Sequence, residues 1–124
     1  MTGLTYDTGA LIAAERQDRD MWQLHRRALE RKVPITVPAA VLVEAWRGSP
    51  VMARVLSGTV VEPLDSSRAR RAATLLRTSG SSATIDATVV EGALRRGDTV
   101  VTGDRADLVA LAEAVGRRLS VIDV

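Results

Sequence analysis

The chain contains no cysteine, one histidine and one lysine, and aromatic residues fill only 2% of its 124 positions. The missing thiols exclude disulfides, thiolate metal sites and cysteine nucleophiles together. With Tyr6, Trp22 and Trp46 as the aromatics, the core must be aliphatic, and base stacking on side chains can add little to any nucleic-acid recognition. No apolar run approaches the roughly 20 residues that span a bilayer. The opening residues show neither a basic n-region nor a long apolar h-region, so they do not read as a signal peptide. The expected location is the cytoplasm, away from membranes.

What is present describes an ordinary globule, 46% hydrophobic and 26% charged, of a size for one domain over residues 1–124. Short β-like runs alternate with helical stretches. Leu4-Thr5-Tyr6 reads as a first strand, followed by helices over about 8–15 and 19–31. Ile35-Thr36-Val37 is a second strand, with Pro38 opening the next helix, which reaches Trp46. Thr59 to Pro63 is a third strand, and Asp65 or Ser66 caps a helix through Leu76. Thr78 to Ser82 reads as a flexible connector. A helix over 84–96 ends at Gly97, a fourth strand covers 99–102, a helix runs from Asp104 to Val115, and Leu119 to Ile122 is a fifth strand. Strands separated by helices of this length imply right-handed crossovers and a parallel sheet. The fold class is α/β, a three-layer α/β/α domain around a central parallel sheet of about five strands.

Four acids sit where strand gives way to helix, or one turn into the helix that follows: Asp7, Glu44, Asp86 and Asp104. Singly, each has a plain explanation. Aspartates before helices are favoured caps, Asp107 can serve the same turn as Asp104, and a glutamate on an amphipathic helix can face water. Jointly they carry more. In an open parallel sheet the strand ends face one crevice, and four carboxylates there cannot all stay ionised without cations. Glu44 lies among Val41, Leu42, Val43, Ala45 and Trp46, which leaves it little polar face and puts Trp46 in the core or at an interface. Lacking cysteine, such a site would hold its metal through oxygen, which suits Mg²⁺ or Mn²⁺. Setting aside these four acids, at −4, leaves +6 on the rest of a chain whose formal net charge is +2. A basic body around an acidic pocket suits a polyanion. His25, far from the acids in sequence, reads as a surface or partly buried residue.

At these residues the chain resembles the PIN-domain ribonucleases, and most closely the VapC-type toxins of VapBC toxin–antitoxin pairs. The matching segments are Tyr6 to Ile12, Val43-Glu44, Ile85 to Thr88, and Val101 to Leu108. The resemblance implies a PIN-like fold whose acidic pocket binds Mg²⁺ or Mn²⁺ and cuts single-stranded RNA. It makes Asp7, Glu44, Asp86 and Asp104 the metal-binding and catalytic carboxylates, with Thr8, Thr102 and Asp107 in support. It also implies a homodimer silenced by a small antitoxin. Arg47 and Arg105 flank pocket acids and can reach RNA phosphates, or serve in salt bridges. Glu91, more than a turn from Asp86, reads as a surface acid or antitoxin contact. The alternative within this family is a catalytically weak domain that binds RNA or protein. A signalling receiver would need a lysine at its last strand, and Lys32 lies elsewhere. A haloacid-dehalogenase-like phosphatase would need an aspartate where Gly9 stands.

Overall fold

The computed structural model describes residues 2–124. Its strands are short: β1 (Leu4–Tyr6), β2 (Ile35–Pro38), β3 (Val60–Glu62), β4 (Thr99–Thr102) and β5 (Val121–Asp123). All pair in parallel, in the order β3-β2-β1-β4-β5. The helices are α1 (Thr8–Glu15), α2 (Arg19–Glu30), α3 (Val41–Ala45), α4 (Pro50–Leu56), α5 (Ser66–Ser79), α6 (Thr84–Arg96) and α7 (Arg105–Glu113). Right-handed crossovers put helices on the sheet face set by the direction of travel. The chain steps from β1 to β2 to β3, then returns past β1 to β4 and on to β5. Accordingly α1 packs on α2, α3 and α4, while α5, α6 and α7 pack together on the other face.

The strand order reverses between β1 and β4, and that reversal opens the crevice in which open α/β sheets bind ligands. Asp7 follows β1 and Asp104 follows β4. The topology alone therefore brings together two acids that are far apart in sequence.

The core is aliphatic, as expected: Leu11, Met21, Val37, Val41, Val55, Val89, Val90, Val100 and Val101 are fully buried. The exception is Tyr6, also fully buried, whose hydroxyl lies 2.8 Å from His25 Nδ1. His25 is thus a core residue of α2 rather than a surface one, 2% exposed, packed edge-on against Trp22. On the opposite sheet face Thr5 donates to Asp98 at 2.8 Å and accepts from Arg96 at 2.9 Å.

Several sequence expectations need correction. Pro38 ends β2 rather than opening a helix, and the helix that follows is one short turn shorter than expected, from Val41 to Ala45. The carbonyl of Pro34, just before β2, accepts from Leu4 of β1, so by alternation the Pro38 backbone also faces β1, while the N–H of Ala39, just after β2, donates to the Glu62 carbonyl of β3. Pairing with β1 ends at Thr36, so the N–H that Pro38 lacks has no ladder partner to lose. Thr78 and Ser79 are not connector but the last turn of α5, which Gly80 closes in the left-handed conformation. β5 begins two residues later than Leu119, which is buried without being strand.

Glu91 is neither a surface acid nor free for a partner. Its carboxylate pairs with Arg95 at 2.9 Å and Arg71 at 3.5 Å, and the chain of charges continues through Glu62 to Arg68 and Arg96. Arg96 Nη1 lies 2.8 Å from Glu62 Oε1 and forms an ion pair with it. Arg95, Arg96 and the hydrogen bond from Arg95 hold Glu62 below its ordinary range despite some burial. Among the described residues no helix is long and apolar enough to cross a membrane.

Candidate active site

Asp7 is built into the start of α1. Its backbone is extended, its Oδ1 accepts the Ala10 amide at 2.9 Å, and only 3% of the residue is exposed. The capping explanation therefore accounts for one oxygen and leaves the other. Oδ2 accepts from the Thr102 hydroxyl at 2.6 Å, across the β1–β4 boundary. Burial pushes the Asp7 carboxyl above its ordinary value, and the bonds from Thr102 and the backbone offset part of that. Gly9 allows the close approach that makes this possible: a Cβ there would stand 2.8 Å from the Gly103 nitrogen.

Asp104 sits at the start of α7, yet its carboxylate makes no capping bond, which leaves it available. Its amide instead donates to Thr102 Oγ1 at 2.7 Å. Asp107, in the first turn of the same helix, falls on the same face at i+3. Asp86 lies in the first turn of α6, half-buried. Carboxylate oxygens of Asp86, Asp104 and Asp107 lie within 4.8 Å of one another.

Asp86 feels the whole cluster. Burial first, then the charges of Asp104, Asp7, Asp107 and Glu44, push its carboxyl up to about 6. Partial burial, then Asp107 and Asp7, raise Asp104 as well. Glu44 projects from α3 on the rim, exposed, and its Oε1 accepts from Thr8 Oγ1 at 2.7 Å. All four sequence-chosen acids thus face one region, with Thr8 and Thr102 as hydroxyl partners. Asp107, which the sequence ranks as an accessory, stands in the tightest trio, and Glu44 stands outside it.

The donor set suits a hard divalent cation. In an octahedral site with bonds of about 2.1 Å, oxygens on opposite sides are about 4.2 Å apart. The separations among Asp86, Asp104 and Asp107, at most 4.8 Å, are close to that span, so a small side-chain adjustment would bring all three onto one ion. Arg47 and Arg105 are both engaged: Arg47 pairs with Glu15, and Arg105 with Asp123 at 2.9 Å. Val43, 82% exposed, and Trp46, 46% exposed, flank Glu44 on α3, so Trp46 is not a core residue.

A family model for the PIN domain matches residues 5–114. The chain belongs to the PIN domain family. No curated protein matches it. Among solved structures it is similar to a chain of VapBC2 from Rickettsia felis bound to a DNA fragment from their promoter, with a TM-score of 0.67 and 12% identity over 98% of each chain. It is also similar to a chain of FitAB bound to an IR36 DNA fragment, with a TM-score of 0.65 and 17% identity over 97% of this chain and 94% of the other. A third is DNA-bound VapBC from Salmonella typhimurium, with a TM-score of 0.65 and 17% identity over 99% and 98%. At these identities the likeness establishes the fold.

Proposed function

We infer that this PIN domain is a metal-dependent endoribonuclease, the toxin of a type II toxin–antitoxin pair held in check by a VapB-like antitoxin. The observation that carries the reading is the convergence of acids from β1, α3, α6 and α7 on one region, with three carboxylates close enough to share a cation. Asp86, Asp104 and Asp107 would hold the ion, with Asp7 and Glu44 on its flanks. A bound Mg²⁺ or Mn²⁺ supplies an activated water and charge stabilisation at a phosphodiester. Thr102 orients Asp7 and the start of α7. Asp86, whose carboxyl is raised by burial and by its acidic neighbours, would hold the ion in its ionised form. The similar solved structures are complexes of VapBC or FitAB pairs, which supports an antitoxin as partner. The exposed Val43 and Trp46 beside Glu44 offer apolar area to such a chain or to a second copy of this one. A homodimer in the cytoplasm completes the reading.

The deciding assay is cleavage of single-stranded RNA with Mn²⁺ or Mg²⁺. Activity should vanish with EDTA and in Asp7→Asn, whose folded state should persist by circular dichroism. Cleavage without metal, or full activity in Asp7→Asn, would refute the assignment. RNA binding with no cleavage under any divalent ion would leave a binding module in its place.

A further inference from the structure

Arg47, Arg68, Arg71, Arg95, Arg96 and Arg105 are each paired with a carboxylate. The other arginines have no carboxylate partner among the described residues, and three of them, Arg19, Arg26 and Arg54, meet at one groove of about 460 Å³ between α2 and α4. Arg19 and Arg26 lie seven positions apart on α2, two turns and the same face, and Arg54 faces them from the last turn of α4. No acidic residue lines the groove. Arg19 sits at the first position of α2, where the helix dipole disfavours a cation. The acids beside it in sequence are turned elsewhere, since Asp18 accepts the Met21 amide and Asp20 lines a different groove. Nothing in the fold itself neutralises this cluster.

The wall between the arginines is Trp22. Its Nε1 donates to the Ala14 carbonyl at 2.9 Å, and its ring meets His25 edge-on with centroids 5.7 Å apart. Two contacts therefore fix a half-buried indole among three cations, a combination that suits a base and its flanking phosphates. An acidic peptide would satisfy the charges but make little use of the aromatic wall.

We propose that this α2–α4 groove is a second RNA-binding site, taking single-stranded phosphodiester backbone at Arg19, Arg26 and Arg54 and a base against Trp22. This rests on the ribonuclease reading for the identity of the polyanion. Gln17 lines the groove just past the end of α1, whose N-cap is Asp7. An eight-residue helix is roughly 12 Å long, which a stacked strand covers in about four nucleotides at roughly 3.4 Å each. RNA held here would leave the acidic pocket about four nucleotides along.

The test uses full-length protein carrying Asp7→Asn to keep RNA uncut and Trp46→Phe so that Trp22 alone reports. A 12-nucleotide RNA should quench Trp22 fluorescence, and Arg19→Ala/Arg26→Ala/Arg54→Ala should weaken its binding at least tenfold. The triple change should also reduce the log–log salt slope by about 2, from three phosphate contacts at about 0.7 each. Binding of the 12-mer with unchanged Trp22 fluorescence, even if the triple variant misfolds, would overturn the proposal. So would equal quenching by poly-glutamate of matched length, which would indicate an acidic protein partner. Trp22 quenching in a protein with intact Asp7 that never cleaves RNA would refute the ribonuclease reading alone. Metal-dependent cleavage without a Trp22 response would refute the groove alone.

Discussion

Thr102 Oγ1 donates its proton to Asp7 Oδ2 at 2.6 Å and itself accepts the Asp104 amide at 2.7 Å. One buried side chain at the end of β4 thus ties the acid after β1 to the acid before α7. Its single proton is committed to Asp7, so it favours the ionised carboxylate in a place where burial opposes ionisation. Thr102→Val keeps the shape and removes both bonds. Losing a hydrogen bond to a buried charged group costs about 1.5–3 kcal/mol, so urea unfolding should show a drop of that order. Mn²⁺ affinity measured by calorimetry should fall too, and Thr102→Ser should restore both. A valine variant with normal Mn²⁺ affinity would remove Thr102 from the site.

Asp86 sets the pH response of the metal-free protein. Its carboxyl moves from 3.8 up to about 6, through burial and then its acidic neighbours. A raised carboxyl means the folded protein takes up a proton before the unfolded chain does. The resulting stability is fully present below about 3.8 and is lost as pH rises through about 6. Melting temperature without metal should therefore rise on going from pH 7 to pH 5, and Asp86→Asn should shrink that rise. At pH 7, Mn²⁺ should raise the melting temperature of the native protein and release protons. A flat metal-free profile between pH 7 and 5 would contradict the clustering of these acids.

The sheet and most of the candidate site are legible in the sequence because both depend on local signals. Short β-runs ended by aspartate place Asp7 and Asp104 at strand ends, and alternation with helices orders the sheet. Residues whose role depends on a distant partner were less legible. Nothing near His25 announces that it meets Tyr6 across the layer, or that this contact takes it out of solvent. Glu91 has a legible partner four residues on in Arg95, but Arg71 comes from α5. The i+3 spacing of Asp107 from Asp104 puts both on one helix face, but that the trio is completed by Asp86 from α6 depends on the tertiary fold. So few aromatics give no sequence sign that Trp22 stands among arginines, because Arg54 comes to the same groove from α4.

The Tyr6–His25 pair gives a titration of the opposite sign. Burial lowers the His25 pKa, so its contribution to stability is present above about 6.5 and lost as pH falls through the folded value. Burial also keeps the Tyr6 hydroxyl protonated far past neutrality. His25→Gln should therefore make the change in stability from pH 7 to 5 more favourable, both in the native protein and in the Asp86→Asn background. Tyr6→Phe should destabilise by about 1–3 kcal/mol in urea, because it leaves a buried ring nitrogen without its partner. An unchanged midpoint in Tyr6→Phe would mean that the 2.8 Å contact contributes no net stability.

Gly9 and Gly103 are where the two halves of the site touch. A Cβ on Gly9 would lie 2.8 Å from the Gly103 nitrogen and 2.9 Å from its Cα. Both are backbone atoms, so no side chain can swing away, and relief must come from separating the start of α1 from the end of β4. That movement carries Asp7 away from Thr102 and Asp104. Gly9→Ala should therefore weaken Mn²⁺ binding more than tenfold, with a loss of stability of about 1–3 kcal/mol from overpacking. Gly80→Ala is the matched control. It sits at φ +70° with no atom within 4 Å of the added carbon, so it carries left-handed strain of about 1 kcal/mol but lies outside the site. Calorimetry on the two variants should show similar losses of stability and divergent Mn²⁺ affinities. Equal affinities would mean that the acids tolerate a wider junction than the close glycine contact implies.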